Sequence, residues 1–264
     1  MVRIFVDDGG YISEETIKKY NIVVLKHPVF IKEKEVSGMG YKQFCDKLKG
    51  GVISRTALIS PAYIQETYEG IEENDIISVH ISSGMSGTIN SARKASESVK
   101  GKNIHIVDSL MTCSGEALLA MILAYKANEG ATFEGLRNEA DKIRDNIKYY
   151  LVIEDLSYLE RGGRIGKAKA LLSSLFKIKP ILAYNNEGKI IPYNKVRTNM
   201  QVIGKIFNED KKYKYILVNK TYYSDLQDNV IEKIKDRCEN LFVAGSNNVI
   251  TNYLGPIAWT IAMY

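Results

Sequence analysis

Short apolar runs alternate along the first half of the chain with segments whose hydrophobic residues have helical spacing. The runs at residues 2–6, 76–81 and 103–107 predict buried strands, because each is short and rich in β-branched residues. A helical pattern over residues 89–99 lies between the last two runs. Strand, turn, helix and strand together have the length of a parallel βαβ unit. The pattern therefore predicts an α/β fold.

The hydrophobic pattern changes after Lys148. Two short apolar segments, at residues 180–184 and 189–193, flank Asn-Asn-Glu-Gly at 185–188, which is typical of a β-hairpin turn. A helical pattern over residues 168–176 precedes them. We therefore expect antiparallel as well as parallel strands in this half.

The chain ends with a further strand and helix, at residues 215–219 and 226–239, which predict a second βαβ unit. The residues after them contain the loop sequence LGPIAWT and a short apolar tail. The change of pattern places a domain boundary near residue 150. We predict two α/β domains, one over residues 1–150 and the other over residues 151–264.

Composition and charge narrow the class of protein. The chain has 264 residues, 45% hydrophobic and 25% charged, as in a soluble globular protein. Its formal charge of +5 is modest for this length, so no nucleic-acid partner is expected. The apolar run at 117–124 is too short to span a bilayer, and the N terminus reads as a strand rather than a signal peptide. Cys45, Cys113 and Cys238 show no CxxC spacing, which favours a reduced, cytoplasmic compartment.

The turn after the second strand, Ser-Ser-Gly-Met-Ser-Gly-Thr at 82–88, holds the densest cluster of small polar residues. A helix N terminus carries unpaired N–H groups and a positive partial charge, and Gly84 and Gly87 let an anion approach it. Ser83 and Ser86 add hydroxyl donors. The turn predicts a site for an anionic group; an ordinary βα turn with a Ser or Thr cap is the alternative.

A serine acyl hydrolase using Ser86 is the enzymatic alternative. The nucleophile turn of such enzymes is Gly-x-Ser-x-Gly, whereas here Gly87 directly follows the serine. The triad of that fold also needs a histidine late in the chain, and the three histidines are His27, His80 and His105. The pattern therefore favours a protein that is not an enzyme on its own.

Phosphate-loop and metal motifs are not found in the sequence. It has no Gly-Lys-Ser/Thr of a P-loop, and no Gly-x-Gly-x-x-Gly opens a helix. The histidines are far apart, and Asp7-Asp8 is as easily a turn as a pair of magnesium ligands. We expect no metal and no cofactor, and we expect His80, inside a strand, to be a hydrogen-bonded core residue.

A basic run covers residues 161–179, with no acidic residue after Glu160. Most of its lysines are typical of a solvated helix face. Arg164 differs, because it follows Gly162-Gly163 on a predicted turn, where a guanidinium suits a carboxylate or phosphate. Arg164 is therefore a candidate for binding a ligand or a partner.

Several motifs occur together in the order and spacing of the DegV family, which the chain resembles over nearly its whole length. They are ISSGMSGTINSA at 81–92, LERGGRIGKAKALL at 159–172, IKPIL at 178–182, GKIIP at 188–192 and KVR at 195–197. These are the fatty-acid-binding proteins that serve as the FakB-type subunit of bacterial fatty acid kinase. The first two motifs are specific in combination, whereas either alone is weak.

The resemblance implies two α/β domains with one long-chain fatty acid in a tunnel at their interface. A partner kinase would transfer phosphate from ATP to the carboxylate, and transient contact with a membrane is compatible with this role. Helix 116–128 would be either a wall of the tunnel or plain core. The family's Gly-Gly-Arg arginine falls on Arg164, near the mouth of the site or the partner surface. The family's ligand-binding positions correspond in this sequence to Thr56, Ser83, Gly84, Ser86, Gly87 and Tyr253. Tyr253 replaces the family's residue at its position, and the others match.

The chain departs from the family pattern at three places. Asp7-Asp8-Gly9-Gly10 stands where the family has Asp-Ser-Thr or Asp-Ser-Ser, and Asp8 near an anion site would oppose a second negative charge. Of the family's Thr-Ser-Gln-Pro-Ser segment, this chain has only the first and last residues, Thr56 and Ser60. Tyr253 replaces a histidine, and a phenol donates a hydrogen bond but does not titrate near neutral pH. These departures bear on the kinase reaction more than on lipid binding. A binder of another small anion, such as a phosphorylated metabolite, is the remaining alternative.

Overall fold

The computed structural model describes residues 1–174, 178–208 and 211–264. Its strands are β1 (Val2–Asp7), β2 (Val23–Leu25), β3 (Val29–Ile31), β4 (Lys34–Glu35), β5 (Ser54–Thr56), β6 (Asp75–His80), β7 (Asn103–Asp108), β8 (Lys148–Ile153), β9 (Lys179–Tyr184), β10 (Ile190–Val196), β11 (Tyr213–Lys220), β12 (Cys238–Ala244) and β13 (Ala258–Met263). Its helices are α1 (Glu14–Tyr20), α2 (Tyr41–Lys49), α3 (Pro61–Glu69), α4 (Thr88–Ser98), α5 (Cys113–Asn128), α6 (Phe133–Asn146), α7 (Ser157–Arg161), α8 (Asn199–Ile206), α9 (Asp228–Lys235) and α10 (Asn248–Leu254), and a 3₁₀ helix covers Gly166–Ser174.

The first sheet has four parallel strands in the order β2-β1-β6-β7. Val6 on β1 lies opposite Val79 on β6, and Val79 lies opposite Val107 on β7. Both faces are buried: Phe5 packs towards α3 and α4, whereas its neighbour Val6 packs towards α5. A parallel sheet covered on both faces explains why its strands are near-continuous apolar runs.

The second sheet has six strands in the order β10-β9-β8-β13-β11-β12. The β9–β10 pair is the antiparallel hairpin that the sequence predicted, and β11 and β12 are parallel, as in the predicted βαβ unit. Strand β13 runs antiparallel between β8 and β11, at the centre of the sheet. The last strand of the chain therefore joins the two parts of this sheet.

Helix α5 lies between the two large sheets. Residues 113–124 are all buried, and the helix contacts β1 on one side and β11 and β13 on the other. A helix that is apolar around its whole circumference is expected at such a position. One core cluster accordingly combines Val6 of the first sheet, Leu119 of α5 and Leu217 of the second sheet.

A small antiparallel sheet, β4-β3-β5, and helix α2 form a lobe beside α10. The Tyr41 hydroxyl lies 2.9 Å from Thr251 Oγ1, and Asn248 Nδ2 donates to the Met39 carbonyl at 3.0 Å. Strand β5 also contacts α10, where Ser54 Oγ donates to Asn252 Oδ1, and both elements contribute to the candidate site.

The α/β class and the positions of most elements agree with the sequence patterns. Three segments differ. The predicted helix 226–239 ends at Lys235, and Cys238 already begins β12; the predicted apolar tail is the central strand β13. The segment predicted as helix 168–176 is a 3₁₀ helix to Ser174, and its last two residues lie outside the described ranges. The domain boundary near residue 150 stays a prediction.

None of the helices in the described ranges is long and apolar enough to cross a membrane.

Candidate functional site

The residues that follow strands β1, β2, β6 and β7 meet at the carboxyl edge of the first sheet, where open α/β sheets bind ligands. A cavity of about 150 Å³ opens there, bounded also by β5, α7 and α10. Most of its wall is apolar: Ala57, Leu58, Ile81, Met85, Leu159, Ile190, Val249, Ile250 and Leu254. The wall suits a hydrocarbon chain.

One group of polar side chains on this wall carries hydroxyls. Ser86 lines the cavity from the turn before α4, and Thr56 and Tyr253 line it from β5 and α10. The Tyr253 hydroxyl lies 2.7 Å from Thr56 Oγ1. Hydroxyl groups can donate to a carboxylate that would otherwise be costly to bury.

The turn 82–88 is held rigidly by its own hydrogen bonds. Ser82 is buried, and its Oγ donates to the Gly188 carbonyl at 2.7 Å, tying the turn to the β9–β10 hairpin. A Cβ on Gly84 would lie 2.8 Å from that same carbonyl oxygen, so this position accepts only glycine without a shift. The turn and the hairpin of the second sheet thus form one unit.

The backbone N–H groups of residues 83–86 in this turn are already paired. Ser83 N donates to Asp108 Oδ1 at 3.2 Å and Gly84 N donates to Ser82 Oγ at 3.1 Å. Met85 N and Ser86 N both donate to the Ser82 carbonyl, at 2.9 and 3.0 Å. The N–H groups of residues 83–86 are therefore not free to hold an anion, whereas the hydroxyl side chains of Ser86, Thr56 and Tyr253 are donors that line the cavity.

The predicted ligand residues divide into two groups by position. Thr56, Ser86, Tyr253 and Arg164 line the cavity. Ser83, Gly84 and Gly87 do not: Ser83 is exposed, Gly84 faces the hairpin, and Gly87 packs against Leu58. The last three shape the turn and lie outside this wall, and their role as ligand contacts stays a prediction.

Arg164 connects the Gly-Gly-Arg motif to the turn. Its Nε donates to the Met85 carbonyl at 3.1 Å, and its NH1 donates to the Gly162 carbonyl at 2.6 Å. The guanidinium carbon lies 5.4 Å from the centre of the Tyr253 ring. Arg164 therefore holds the turn and also places a positive charge beside the hydroxyl group pair.

A second, more polar cleft of about 190 Å³ adjoins the cavity and shares Thr56, Arg164 and Tyr253 with it. Arg55 and Arg161 also line this cleft. Their guanidinium carbons lie over the rings of Phe30 and Tyr158, at 4.7 and 4.4 Å from the ring centres. The outer side of the hydroxyl cluster is thus strongly basic.

Behind Ser86 lies a chain of buried polar groups that sequence patterns did not reveal. Ser86 Oγ is 2.9 Å from Thr88 Oγ1, which is 2.8 Å from His27 Nε2. The other ring nitrogen of His27 is 2.6 Å from Asp8 Oδ1. Burial lowers the pKa of His27, but the Asp8 hydrogen bond and the charges of Asp7 and Asp8 raise it more, so the net shift is upward.

The sequence predicts that Asp8 repels a bound anion, but in the structure hydrogen bonds from His27 weaken this repulsion. Its carboxylate accepts hydrogen bonds from the backbone and the ring of His27, both at Oδ1. The negative charge is therefore paired. The sequence signal was two acidic residues and one histidine separated by a strand, which no spacing rule connects.

Asp7 belongs to a second buried network. His80 Nδ1 is 3.0 Å from Asp7 Oδ2, and His80 Nε2 is 2.8 Å from Ser78 Oγ, which accepts from the Tyr68 hydroxyl at 2.8 Å. Burial alone would raise the pKa of Asp7, but the His80 hydrogen bond and the charge of His27 hold it below its ordinary value. The prediction of a hydrogen-bonded core histidine at position 80 is confirmed.

The N terminus of α5 supplies a further polar wall. Thr112 Oγ1 lies 3.0 Å from the Tyr149 hydroxyl and 2.9 Å from that of Tyr184. Burial raises the pKa of the Cys113 thiol to about 11, so it is protonated and unreactive at neutral pH. The leucines of α5, expected as wall or core, are core.

The described residues contain no group of three or more His, Cys, Asp or Glu side chains arranged to hold a metal ion. Among the described residues, Ser86 has no hydrogen bond to a histidine, because Thr88 stands between its hydroxyl and His27. The direct serine–histidine hydrogen bond of a hydrolase is thus not formed.

Fold and site together define an α/β protein in which two sheets share one buried helix and an apolar cavity ends in hydroxyl groups. The chain belongs to the DegV family, whose model matches residues 1–264.

Comparison with individual proteins agrees with this assignment. A DegV domain-containing protein of Listeria innocua is 31% identical over 212 residues, which cover 78% of this chain and 75% of that protein. DegV of Bacillus subtilis, a fatty acid binding protein, superposes with a TM-score of 0.86 at 25% identity, over 100% of this chain and 99% of that one. A DegV family protein of Eubacterium eligens loaded with heptadecanoic acid gives a TM-score of 0.80 at 18% identity, covering 100% and 99%.

Proposed function

We propose that the protein binds one long-chain fatty acid, with its hydrocarbon chain in the cavity and its carboxylate against Ser86, Thr56 and Tyr253. The observation that carries the proposal is the pairing of an apolar wall with hydroxyl donors at one position. The fatty acids bound by the Bacillus subtilis and Eubacterium eligens proteins support it.

The energetics favour an amphipathic ligand over a small anion. Each buried CH₂ group contributes about 0.8 kcal/mol, so a long chain supplies most of the affinity. A buried carboxylate requires donors, and hydrogen bonds to a charged group contribute roughly 1.5–3 kcal/mol each. Hydroxyls meet this need without a metal ion.

Two steps test the proposal. Mass spectrometry of an organic extract of the purified, denatured protein should recover about one fatty acid per chain. In delipidated protein, Ser86→Ala combined with Thr56→Val should weaken oleate binding by roughly a hundredfold or more, since two charge-assisted hydrogen bonds are lost. Ser83→Ala, in the same turn but outside the cavity, is the matched control. Unchanged oleate affinity in the double variant would place the carboxylate elsewhere.

The basic cleft beside the hydroxyl cluster favours a partner that delivers phosphate. We propose that an ATP-dependent fatty acid kinase subunit docks there and phosphorylates the carboxylate, as in the FakB-type role. Arg161→Ala should retain oleate binding but reduce acyl-phosphate formation when such a subunit and ATP are added. Arg137→Ala, on exposed α6, is the control. Equal acyl-phosphate yield from both variants would exclude this surface.

Two exposed apolar side chains lie beside the openings. Leu58 lines the cavity and is 52% exposed, and Ile53 lines the basic cleft and is 65% exposed. We propose that this edge touches a bilayer briefly during ligand exchange. Replacing Ile53 with Gln should slow transfer of a fluorescent fatty acid to vesicles without changing its equilibrium affinity. Unaltered transfer would argue for exchange through water.

The two alternative functions have less support. A hydrolase would require Ser86 to react with a fluorophosphonate, and we expect no labelling, because Thr88 separates it from His27. A binder of a phosphorylated metabolite would use backbone donors of the turn, of which the N–H groups of residues 83–86 are already paired. Millimolar phosphate should therefore raise the melting temperature less than oleate does. The three free cysteines support a cytoplasmic location.

A further inference from the structure

His27 occupies an unusual position for a histidine on the wall of a lipid cavity. It is 5% exposed and lies between β2 and β3. Its Nδ1 is 2.6 Å from Asp8 Oδ1, its Nε2 is 2.8 Å from Thr88 Oγ1, and its backbone N–H donates to the same Asp8 oxygen at 2.9 Å. Both ring nitrogens are thus committed to partners.

The partners determine where the protons of a neutral ring lie. A carboxylate only accepts hydrogen bonds, so Nδ1 carries the proton that bonds to Asp8 and Nε2 is an acceptor. The Thr88 hydroxyl then donates to His27, and Thr88 Oγ1 accepts from the Ser86 hydroxyl, 2.9 Å away. In this state Ser86 turns its lone pairs towards the cavity and repels a carboxylate.

Protonation of His27 reverses this chain of hydrogen bonds. Nε2 now donates to Thr88 Oγ1, so the Thr88 hydroxyl donates to Ser86 Oγ. The Ser86 proton is then free to point into the cavity. The same atoms at the same distances therefore present either an acceptor or a donor to the ligand, according to one proton on a buried ring.

We propose that protonated His27, acting through Thr88, aims the Ser86 hydroxyl at the ligand carboxylate, so that the protein takes up a proton when it binds its anionic ligand. This inference rests on the proposed function and assigns to it a positioning residue, His27, and a pH dependence. His27 itself need not touch the carboxylate.

The surrounding charges favour the protonated ring in the complex. Asp7 Oδ1 lies 4.0 Å from Nδ1, and Asp8 is closer, so two carboxylates face the ring from the end of β1. From α5, burial raises the pKa of Glu116 well above its ordinary value and that of Cys113 to about 11, which favours the neutral forms of both groups.

Few other groups can balance the charge of a bound carboxylate. Tyr253, from α10, contributes a neutral phenol. Arg164 is the other cation that the described part of the chain places on the cavity wall. A bound carboxylate would add a third negative charge, and a neutral imidazole would leave Arg164 to balance it without a contribution from His27.

The test measures fatty acid affinity against pH. Delipidated protein is titrated with cis-parinarate from about pH 6 to about pH 9, a range that brackets histidine titration. Affinity should fall about tenfold per pH unit above the pKa of His27. The alcohol of equal chain length should bind with the same affinity throughout, because a hydroxyl both donates and accepts. His105→Gln, a half-buried histidine away from the cavity, should behave as wild type.

Two variants distinguish a positioning role of His27 from a purely structural role. His27→Gln should remove the pH dependence while retaining binding, because the amide can donate to Thr88 at every pH. Asp8→Asn should move the fall in affinity to lower pH, since the charge that favours protonated His27 is removed. ¹⁵N NMR of histidine-labelled wild-type protein should show protons on both ring nitrogens of His27 in the complex at neutral pH.

The outcomes distinguish a failure of the His27 role from a failure of the proposed lipid binding. Tight binding of cis-parinarate that does not vary with pH, or a neutral His27 in the complex, overturns the role of His27 and leaves lipid binding intact. Failure to bind the fatty acid at any pH overturns the proposed function itself. The wild-type NMR experiment remains decisive if either variant fails to fold.

Discussion

At the scale of single residues, Glu116 in α5 is a buried acid whose pKa lies well above its ordinary value. Its side chain is 0% exposed, and neither carboxyl oxygen has a hydrogen-bond partner among the described residues. Burial is the main cause of its raised pKa, and the negative charge of Asp7 adds to it. Burial thus favours the protonated form of Glu116 in the folded protein.

This protonation makes stability depend on pH with a definite sign. In the unfolded chain the carboxyl ionises above about pH 4.3, whereas the folded state keeps the proton, so Glu116 lowers stability by about 1.4 kcal/mol per pH unit until its folded pKa is reached. Glu116→Gln should therefore be more stable than wild type at pH 7 and similar to it near pH 4, by urea unfolding.

The control for this prediction is Glu97→Gln on exposed α4, which should leave the pH profile of stability unchanged. If Glu116→Gln and wild type lose stability in parallel between these pH values, Glu116 is ionised in the fold and the interpretation fails.

At the scale of elements, the turn 82–88 and the β9–β10 hairpin depend on each other. Their contact requires a glycine at position 84, because the hairpin carbonyls of Glu187 and Gly188 lie where a side chain would begin. The loop therefore owes its shape to a strand pair more than a hundred residues later in the chain, as the bond between Ser82 and Gly188 shows.

Gly84→Ala should destabilise the protein by about 1–3 kcal/mol, the usual cost of forcing extra volume into a packed contact. Gly204→Ala is the matched control, because Gly204 lies in α8 with open space around its Cα and should gain about 0.5–1 kcal/mol from the better helix former. Thermal and urea unfolding measure both. Equal effects of the two substitutions would contradict the close approach at Gly84.

At the scale of the whole molecule, the cavity lies where the two sheets, the small lobe and α10 meet. A ligand that fills it contacts all of these parts in the folded state and finds no such site in the unfolded chain. Binding should therefore stabilise the protein globally.

Oleate at about a hundred times its dissociation constant should add about 2.7 kcal/mol and raise the melting temperature by roughly 5–10 °C. Differential scanning calorimetry of delipidated protein, with and without oleate, measures the shift. The alkane of equal length serves as the control for simple partitioning. A shift as large with the alkane would mean that the hydroxyl cluster contributes nothing.

Local pattern was sufficient for most of the chain. Alternating apolar runs and helical spacing predicted strands β1, β6 and β7 and helix α4, because burial on a parallel sheet demands these patterns locally. The motifs around Ser86 and Arg164 pointed to the family that the comparisons confirmed.

Where local pattern failed, distant contacts decided. The apolar segment 258–263 became a central strand because β8 and β11 lie on either side of it, which no local signal announces. The segment 238–244 likewise pairs with β11 instead of extending a helix.

The sequence by itself determined the α/β class, the order of most elements, the family and three hydroxyl-bearing wall residues, Thr56, Ser86 and Tyr253. Only the tertiary structure decided that Ser83 points away from the cavity and that Asp8 and His27 stand behind Ser86. The reason is physical: periodicity records which face of an element is buried, whereas a hydrogen-bond chain across three elements depends on how those elements pack.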